Sequence, residues 1–327
     1  METEALLLDE DLTVRAGIGV VPRPRAGQAL VAVRWAGVCG SDLRMMRTGD
    51  RVTYWPAIIG RELAGVVSSC PGGELLPGTA VVVDSRVPCR ACAGCQCAAN
   101  LCERLAWVGE AHPGGYSAYC TLDVRNLVPC PDTLEPTVAV LAEPLAVAMH
   151  GLGKVAGEPE RILLIGHGPL GALFQLEARR RWPQAAIEVV EPIPARRDLA
   201  RALGAQALFP ADGRRCRDLV IDASGYDGSL ADAVEQCANG GTVLLAALGS
   251  GNAEVSPAQL AERSLTVAGV KAFDGELPLA VARLADDPDR YRPIITEALL
   301  LDEAAERLPR LAESPSAGKV VISPCRS

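Results

Sequence analysis

The segment "RILLIGHGPLGALFQLEARRRW" (161–182) constrains the fold more than any other stretch. Its first residues are almost wholly apolar, as in a strand buried in a parallel sheet, and a helical pattern starts at 169. Between them, glycines in the spacing G-x-G-x-x-G suit a tight turn whose backbone N–H groups face a pyrophosphate. Glu191 follows Gly171 by twenty residues, where a carboxylate can accept hydrogen bonds from a ribose. We predict a dinucleotide site at Gly166, Gly168, Pro169, Leu170, Gly171, Glu191 and Arg196.

The carboxylate at position 191 also bears on which cofactor binds. A negative charge beside the ribose repels the 2′-phosphate of NADP, so the sequence favours NAD. Arg196 and Arg197 follow closely and could weaken that preference.

The rest of the chain shows two different patterns of predicted secondary structure. After about residue 145, strand-like runs alternate with helical segments, which predicts a doubly wound parallel sheet. Those runs are 161–166, 185–191, 218–224, 241–248 and 265–270. The first 145 residues read as short strands broken by Gly and Pro, including 29–37 and 78–87. The tail from about 275 carries two helical stretches and a last strand at 319–323.

Length and charge limit the class of protein. A chain of 327 residues is long enough for two domains. Its net charge of −8 argues against nucleic acid as the main partner. No apolar run approaches the roughly 18 residues of a membrane helix, and the acidic N-terminus lacks the pattern of a signal peptide. We expect a cytoplasmic protein without a membrane partner.

Cysteines are concentrated in one short segment. The chain has twelve, and "CRACAGCQCAANLC" contains five of them. Cys89, Cys92, Cys95 and Cys102 are spaced as the ligands of a four-thiolate zinc site, which leaves no position open for a substrate and is therefore structural. Reduced thiols in a loop, or a nucleic-acid zinc ribbon, are the alternatives. Cys97 and the scattered cysteines, including Cys325, are expected to be incidental thiols.

Several segments together resemble a known family. They are "AGVCGSDLR" (36–44), "IIGRELAGVV" (58–67), the cysteine segment, "GGYSAY" (114–119), "AEPLAVAMHG" (142–151), "GHGPLG" (166–171) and "DASG" (222–225). In this order they resemble the zinc-dependent medium-chain dehydrogenases of the alcohol dehydrogenase superfamily, and most closely the sorbitol and threonine dehydrogenase branch.

The resemblance implies an architecture. It is a Rossmann domain (146–274) inserted into a mainly β, GroES-like catalytic domain (1–145 with 275–327) that carries the zinc lobe at 89–102. Members of the family are usually homodimers or homotetramers that act on small molecules.

The resemblance also implies site residues. In the family a catalytic zinc polarises an alcohol or carbonyl oxygen while hydride passes to or from a nicotinamide. Cys39, Glu62 and Glu143 match its ligands or close neighbours, Ser41 matches the hydroxyl that relays the alcohol proton, and Asp42 matches a carboxylate that orients a metal-bound histidine.

Two positions depart from the family pattern. Arg61 stands where the family has its histidine zinc ligand, and Arg44 where many members have a second histidine. A guanidinium has no lone pair to offer a metal. Its charge would also repel a dication by several kcal/mol at ~4 Å. Cys39, Glu62 and Glu143 could still supply three ligands, but the sequence favours a site without catalytic zinc, with Arg61 pairing with Glu62 or Glu143 in its place.

Three functions remain open. The first is an NAD-dependent dehydrogenase of a secondary alcohol, such as a polyol, amino-polyol or sugar derivative, in which Arg61 and Ser41 stabilise the alkoxide. In this case Arg44 and Arg61 could also hold an anionic substrate. The second is a zinc-independent NAD(P)H reductase of an activated C=C or C=N bond. The third is a dinucleotide-binding protein that has lost catalysis.

Overall fold

The computed structural model describes residues 1–249 and 251–324, so that Cys325 lies outside the described part. The elements before the glycine-rich turn are β1 (Glu2–Leu8), β2 (Val14–Val20), β3 (Gln28–Gly37), α1 (Gly40–Thr48), β4 (Glu62–Ser69), β5 (Ala80–Val83), β6 (Arg86–Val87), α2 (Ala93–Cys97), β7 (Ala106–Trp107), β8 (Tyr119–Asp123), β9 (Leu127–Pro129), α3 (Pro136–Ala139), α4 (Ala142–Gly153) and β10 (Arg161–Ile165). Those after it are α5 (Pro169–Arg181), β11 (Ala186–Val190), α6 (Pro194–Ala202), β12 (Gln206–Leu208), β13 (Arg217–Asp222), α7 (Ser229–Gln236), β14 (Cys237–Leu245), α8 (Pro257–Glu262), β15 (Thr266–Gly269), α9 (Leu277–Asp286), α10 (Pro288–Tyr291), β16 (Ile295–Leu300), α11 (Leu301–Arg307) and β17 (Lys319–Ser323).

The described residues form two compact units. One contains residues 1–143 together with the described residues from Leu277 onward, and the other contains Pro144–Glu276. The second unit is thus an insertion in the chain of the first.

The inserted unit is built on one parallel sheet. Its strands lie in the order β12-β11-β10-β13-β14-β15, and every neighbouring pair is parallel. Numbered along the chain, these six strands have the order 3-2-1-4-5-6 of dinucleotide-binding domains. Leu163, Val220 and Val243 from neighbouring strands belong to one buried cluster. The doubly wound Rossmann fold predicted from the strand–turn–helix pattern is confirmed.

The other unit is mainly antiparallel β. A seven-stranded sheet has the order β16-β17-β3-β4-β5-β9, with β8 paired to β3, and β1 and β2 form a separate hairpin. Only β16 and β17 of this sheet pair in parallel. Its main buried cluster joins early and late parts of the chain, from Leu6 and Val31 to Ile322. The C-terminal strand β17 therefore completes a sheet that residues near the N-terminus begin.

Three elements differ from the sequence-based expectation. The run at 78–87 forms two strands, because the Asp84 carboxylate accepts hydrogen bonds from the backbone and guanidinium of Arg86 and turns the chain there. The tail contains an additional strand, β16, whose burial alternates without a full apolar face. Segment 136–153 has a mean hydropathy of 1.2, enough by length and composition to span a membrane, but 67% of it is buried inside the protein, as in a core helix.

Candidate active site and dinucleotide site

Two glycines of the turn at 166–171 are required by packing. Gly166 has φ of +88°, and a Cβ there would lie 2.8 Å from the Cβ of Ser224. A Cβ on Gly171 would lie 2.4 Å from the carbonyl oxygen of Gly166. Both contacts are closer than van der Waals distance, so these glycines let α5 pack against the end of β10.

The middle glycine has a different role. A Cβ on Gly168 would meet only one neighbour, the Nη1 of Arg196 at 3.8 Å. Gly168 is also the N-cap of α5, with Pro169 in its first turn. The N-terminus of α5 therefore has open space next to it, helix N–H groups without intrahelical partners, and a guanidinium nearby. This arrangement suits a pyrophosphate.

Glu191 lies at the end of β11, as the sequence predicted. Its side chain is buried, and its two oxygens accept hydrogen bonds from the backbone N–H groups of His167 (2.7 Å) and Ile193 (2.9 Å). The turn and the start of α6 thus hold the carboxylate in place. Because an ionised carboxylate has about four acceptor positions, it can still accept bonds from a ribose.

The loop after β13 is also organised by a carboxylate. One oxygen of Asp222 accepts from the backbone N–H groups of Ser224 (2.9 Å) and Gly225 (3.1 Å), and the other accepts from the hydroxyl of Ser229 (2.6 Å). A cavity of about 160 Å³ lies beside this loop. It adjoins the carboxyl ends of β13 and β14, the end of such a sheet at which ligands bind.

The four cysteines of the lobe converge. Their sulfurs all lie within 4.8 Å of one another, with Sγ–Sγ distances of 3.4 Å for Cys92–Cys95, 3.8 Å for Cys89–Cys95 and 4.0 Å for Cys92–Cys102. Four thiolates at ~2.3 Å from a tetrahedral zinc would be about 3.8 Å apart. Backbone N–H groups of Cys89 and Glu103 point at two of the sulfurs. The donor set fits zinc, whereas Cys97 is exposed and outside the group.

Arg61 is buried immediately before β4, with a side-chain exposure of 7%. Its Nη2 donates to Glu110 at 2.8 Å, its Nε lies 3.8 Å from Asp42, and its guanidinium carbon lies 5.4 Å from the centre of the Trp107 ring. Burial opposes the charge, but nearby Asp42, Cys39 and Glu110 outweigh burial and raise the pKa of Arg61. The guanidinium is a fixed cation.

The expected partners of Arg61 are engaged elsewhere, so that part of the expectation is wrong. Glu62 accepts a hydrogen bond from Lys319 Nζ at 2.5 Å, and both side chains are 2% exposed. Glu143 accepts from the hydroxyl of Ser85 at 2.9 Å. Burial, followed by the charge of Glu62, raises the pKa of Glu143 to about 7.

These residues do not fit a catalytic zinc. Among residues 1–249 and 251–324, the four cysteines of the lobe are the one group of three or more His, Cys, Asp or Glu side chains close enough to hold a metal. The thiol sulfur of Cys39 and the carboxylate oxygens of Glu62 and Glu143 therefore do not all lie within 4.8 Å of one another. Burial and the neighbouring Glu62 and Asp42 also raise the pKa of the Cys39 thiol to about 12.

The two remaining residues predicted to be catalytic have different surroundings. The hydroxyl of Ser41 is buried and has no hydrogen-bond partner in the described part of the chain. Arg44 lies on α1 with a side-chain exposure of 41% and pairs with Asp50 at 2.8 Å. Arg44 and Arg61 thus have separate carboxylate partners, and their joint use in holding an anionic substrate stays a prediction.

Sequence reasoning missed Glu110 and Lys319. Glu110 lies in a turn with no motif around it, so the sequence offered no signal. The sequence did contain a signal for Lys319, because this residue is one of only three lysines in the chain and begins the apolar strand "KVVIS". A charged group entering a buried strand indicates a buried partner.

Comparison with known proteins agrees with this geometry. Residues 25–132 match the model of the alcohol dehydrogenase GroES-like domain. The D-altritol 5-dehydrogenase of Agrobacterium fabrum is 30% identical over 307 residues, which cover 89% of each chain. The chain belongs to the zinc-dependent medium-chain alcohol dehydrogenases.

Further relatives of this alcohol dehydrogenase are similar in the same way. The L-galactonate-5-dehydrogenase of Escherichia coli K12 is 28% identical over 280 residues, covering 81% of this chain and 82% of the relative. A crystal structure of the alcohol dehydrogenase RspB of Escherichia coli CFT073, complexed with NADH, has a TM-score of 0.90 at 23% identity, covering 98% of this chain and 99% of that one.

Family membership decides between the reaction classes. The protein is an oxidoreductase of the alcohol dehydrogenase type, and its relatives do not favour the C=C or C=N reductase or the inactive binding protein. The turn at 166–171 suits a dinucleotide cofactor of the kind that such dehydrogenases use.

Proposed function

We propose that this protein interconverts a secondary alcohol of a polyol, amino-polyol or sugar derivative with the corresponding ketone, using NAD. The observation that carries the proposal is the 30% identity with a D-altritol 5-dehydrogenase over 89% of both chains. Ser41, which the resemblance assigns to proton relay, supports it with a buried hydroxyl that has no other described partner.

The chemistry divides between cofactor and protein. When bound, the nicotinamide would supply the acceptor for the hydride that leaves the carbinol carbon in the oxidising direction. Ser41 Oγ accepts a hydrogen bond from the alcohol O–H and so begins removal of its proton, and Arg61 stabilises the negative charge that develops on that oxygen.

The choice of NAD over NADP rests on Glu191. Two backbone N–H groups hold its carboxylate, so it cannot turn away from a ribose without losing both bonds. A 2′-phosphate would meet this fixed negative charge, and Arg197 offers little compensation because its Nη1 donates to the carbonyl oxygens of Glu191 and Pro192. We expect NADH to bind more tightly than NADPH by roughly tenfold or more.

We further propose that the lobe binds one structural zinc ion. The sulfur spacing of 3.4–4.0 Å supports this. Cys92→Ser removes a ligand and should remove the zinc, whereas Cys97→Ser, outside the cluster, should retain it.

A substrate panel tests the proposed reaction. The intact protein is incubated with NAD⁺ and a series of polyols, amino-polyols and sugar acids, and NADH formation is followed by absorbance. Turnover of at least one secondary alcohol, with its ketone as product, is expected. Turnover of enones or imines alone, or tight NADH binding without turnover of any alcohol, would overturn it.

The proposed setting is a cytoplasmic homodimer or homotetramer. None of the eleven described cysteines forms a disulfide, which suits a reducing compartment. Light scattering of the purified protein tests the oligomeric state, and a monomeric mass would contradict it.

A further inference from the structure

We propose that Arg61 takes the place of the catalytic zinc as the fixed cation of the active site, so that this chain binds no metal there. The inference rests on the proposed dehydrogenase function and specifies how its site differs from the family pattern. It depends on the position of Arg61, on its fixed geometry and on the partners of the residues that match zinc ligands.

The geometry holds the guanidinium on several sides. Glu110 accepts from Nη2 at 2.8 Å, Asp42 faces Nε at 3.8 Å, and the Trp107 ring lies 5.4 Å away. Glu110 is itself buried, with 8% of its side chain exposed. Swinging Arg61 aside to admit a metal would leave the buried Glu110 carboxylate with only the half-exposed Arg51, whose Nη1 lies 3.7 Å away, and without its direct hydrogen-bonded cation, which is unfavourable.

The surroundings of Asp42 also indicate that Arg61 replaces the metal-bound histidine. The resemblance assigns it the task of orienting a metal-bound histidine, and its Oδ2 is held by the backbone N–H of Cys39 (2.9 Å) and the hydroxyl of Tyr116 (2.8 Å). Its other oxygen faces Arg61. The carboxylate that would orient the histidine therefore faces the arginine that stands in the histidine's position.

Arg61 also retains a donor for a substrate oxygen. Its Nε is buried and makes no hydrogen bond within the described part of the chain, as is also true of the Ser41 hydroxyl. Arg61 Nε lies near Asp42 without a hydrogen bond to it, so both donors are available to an oxygen that gains negative charge as hydride leaves the neighbouring carbon.

Metal content per chain tests the inference. Protein produced with ample zinc is desalted without chelator and analysed for zinc by mass spectrometry. The wild type is expected to contain one zinc ion, which Cys92→Ser removes and Cys39→Ser does not. Arg61→His, which supplies the missing imidazole, is expected to bind a second zinc that is lost again in Arg61→His combined with Cys39→Ser.

The controls separate the possible failures. Arg44→His places an imidazole on the exposed face of α1 and should keep one zinc. If Arg61→His does not fold because Glu110 lacks its partner, Arg61→His with Glu110→Gln removes that charge. A second zinc in the wild type, lost in Cys39→Ser, would overturn the inference, as would a folded Arg61→His variant that still binds one. Zinc content does not depend on turnover, so an inactive protein with one zinc would contradict the proposed function and not this inference.

Discussion

Lys319 Nζ donates to Glu62 Oε2 at 2.5 Å and to the carbonyl oxygen of Val38 at 3.0 Å, which joins the last strand of the chain to β4 and to the residue that follows β3. The ammonium and the carboxylate are each 2% exposed. Burial opposes the charge of Lys319, but Glu62 and Cys39 outweigh burial and raise the pKa of Lys319. The pair ties the C-terminal segment to the region around Cys39.

Replacing Lys319 tests the strength of this tie. Lys319→Met should lower the free energy of unfolding by about 3–5 kcal/mol, because Glu62 is left buried without its cation. Denaturant unfolding measures the change. Lys319→Met with Glu62→Gln should recover much of it, and Arg44→Met, at the exposed pair with Asp50, should have a far smaller effect. Equal losses in Lys319→Met and Arg44→Met would contradict a buried ion pair.

Ser41→Ala separates stability from activity. The Ser41 hydroxyl has no hydrogen-bond partner in the described residues, so its removal should leave the unfolding temperature unchanged. Turnover should fall by roughly 10²-fold or more, because the alcohol proton loses its acceptor.

Ser117→Ala is the matched control. Its buried hydroxyl lies within hydrogen-bond distance of the carbonyl oxygens of Gly114 and Tyr119 and donates its one proton between them, so its loss should cost about 1 kcal/mol of stability. Unchanged turnover in Ser41→Ala would exclude the relay.

Two glycines of the dinucleotide turn should respond differently to alanine. A Cβ at Gly168 meets only Arg196 Nη1, at 3.8 Å, so Gly168→Ala should fold normally while its methyl group occupies the space next to the helix N-terminus. The Kd for NADH should rise by roughly tenfold or more. A Cβ at Gly171 lies 2.4 Å from a backbone oxygen, so Gly171→Ala should lower the unfolding temperature as well. Calorimetry and NADH fluorescence measure both quantities. Full NADH affinity in Gly168→Ala would place the pyrophosphate elsewhere.

Glu143 predicts a pH dependence of stability. Its pKa is raised to about 7, chiefly by burial, whereas an unfolded glutamate titrates near ~4.3. Between these values the folded protein binds the proton that the unfolded chain has released, so this group makes stability fall as pH rises from about 4.3 to 7. Glu143→Gln keeps an acceptor for Ser85 and removes the titration. The variant should match the wild type at the acidic end and be more stable above pH 7, by about 1–3 kcal/mol.

Unfolding titrations at a series of pH values test this expectation. Glu306→Gln, at an exposed position of α11, is the control and should leave the pH profile unchanged. A constant difference between Glu143→Gln and wild type at all pH values would show that Glu143 does not titrate in this range.

The sequence by itself determined those features that depend on neighbours along the chain. The turn at 166–171, the carboxylate at the end of β11 and the four-cysteine lobe each lie within about thirty residues, and their spacing fixes which atoms meet once a strand, helix or loop forms. The parallel sheet followed from apolar runs that alternate with helical patterns. For the same reason the strand β16, with no full apolar face, was missed.

Only the tertiary structure decided which charges pair. The sequence placed a guanidinium at position 61 but named Glu62 and Glu143 as its partners, whereas the structure pairs it with Glu110, 49 residues away, and pairs Glu62 with Lys319, 257 residues away. Coulomb attraction acts between any opposite charges that folding brings together, whatever their separation along the chain. Sequence spacing therefore predicted the cofactor turn and the zinc lobe, while the partners of Arg61 and Glu62 depended on how the sheet brings β4, β17 and the turn at Glu110 together.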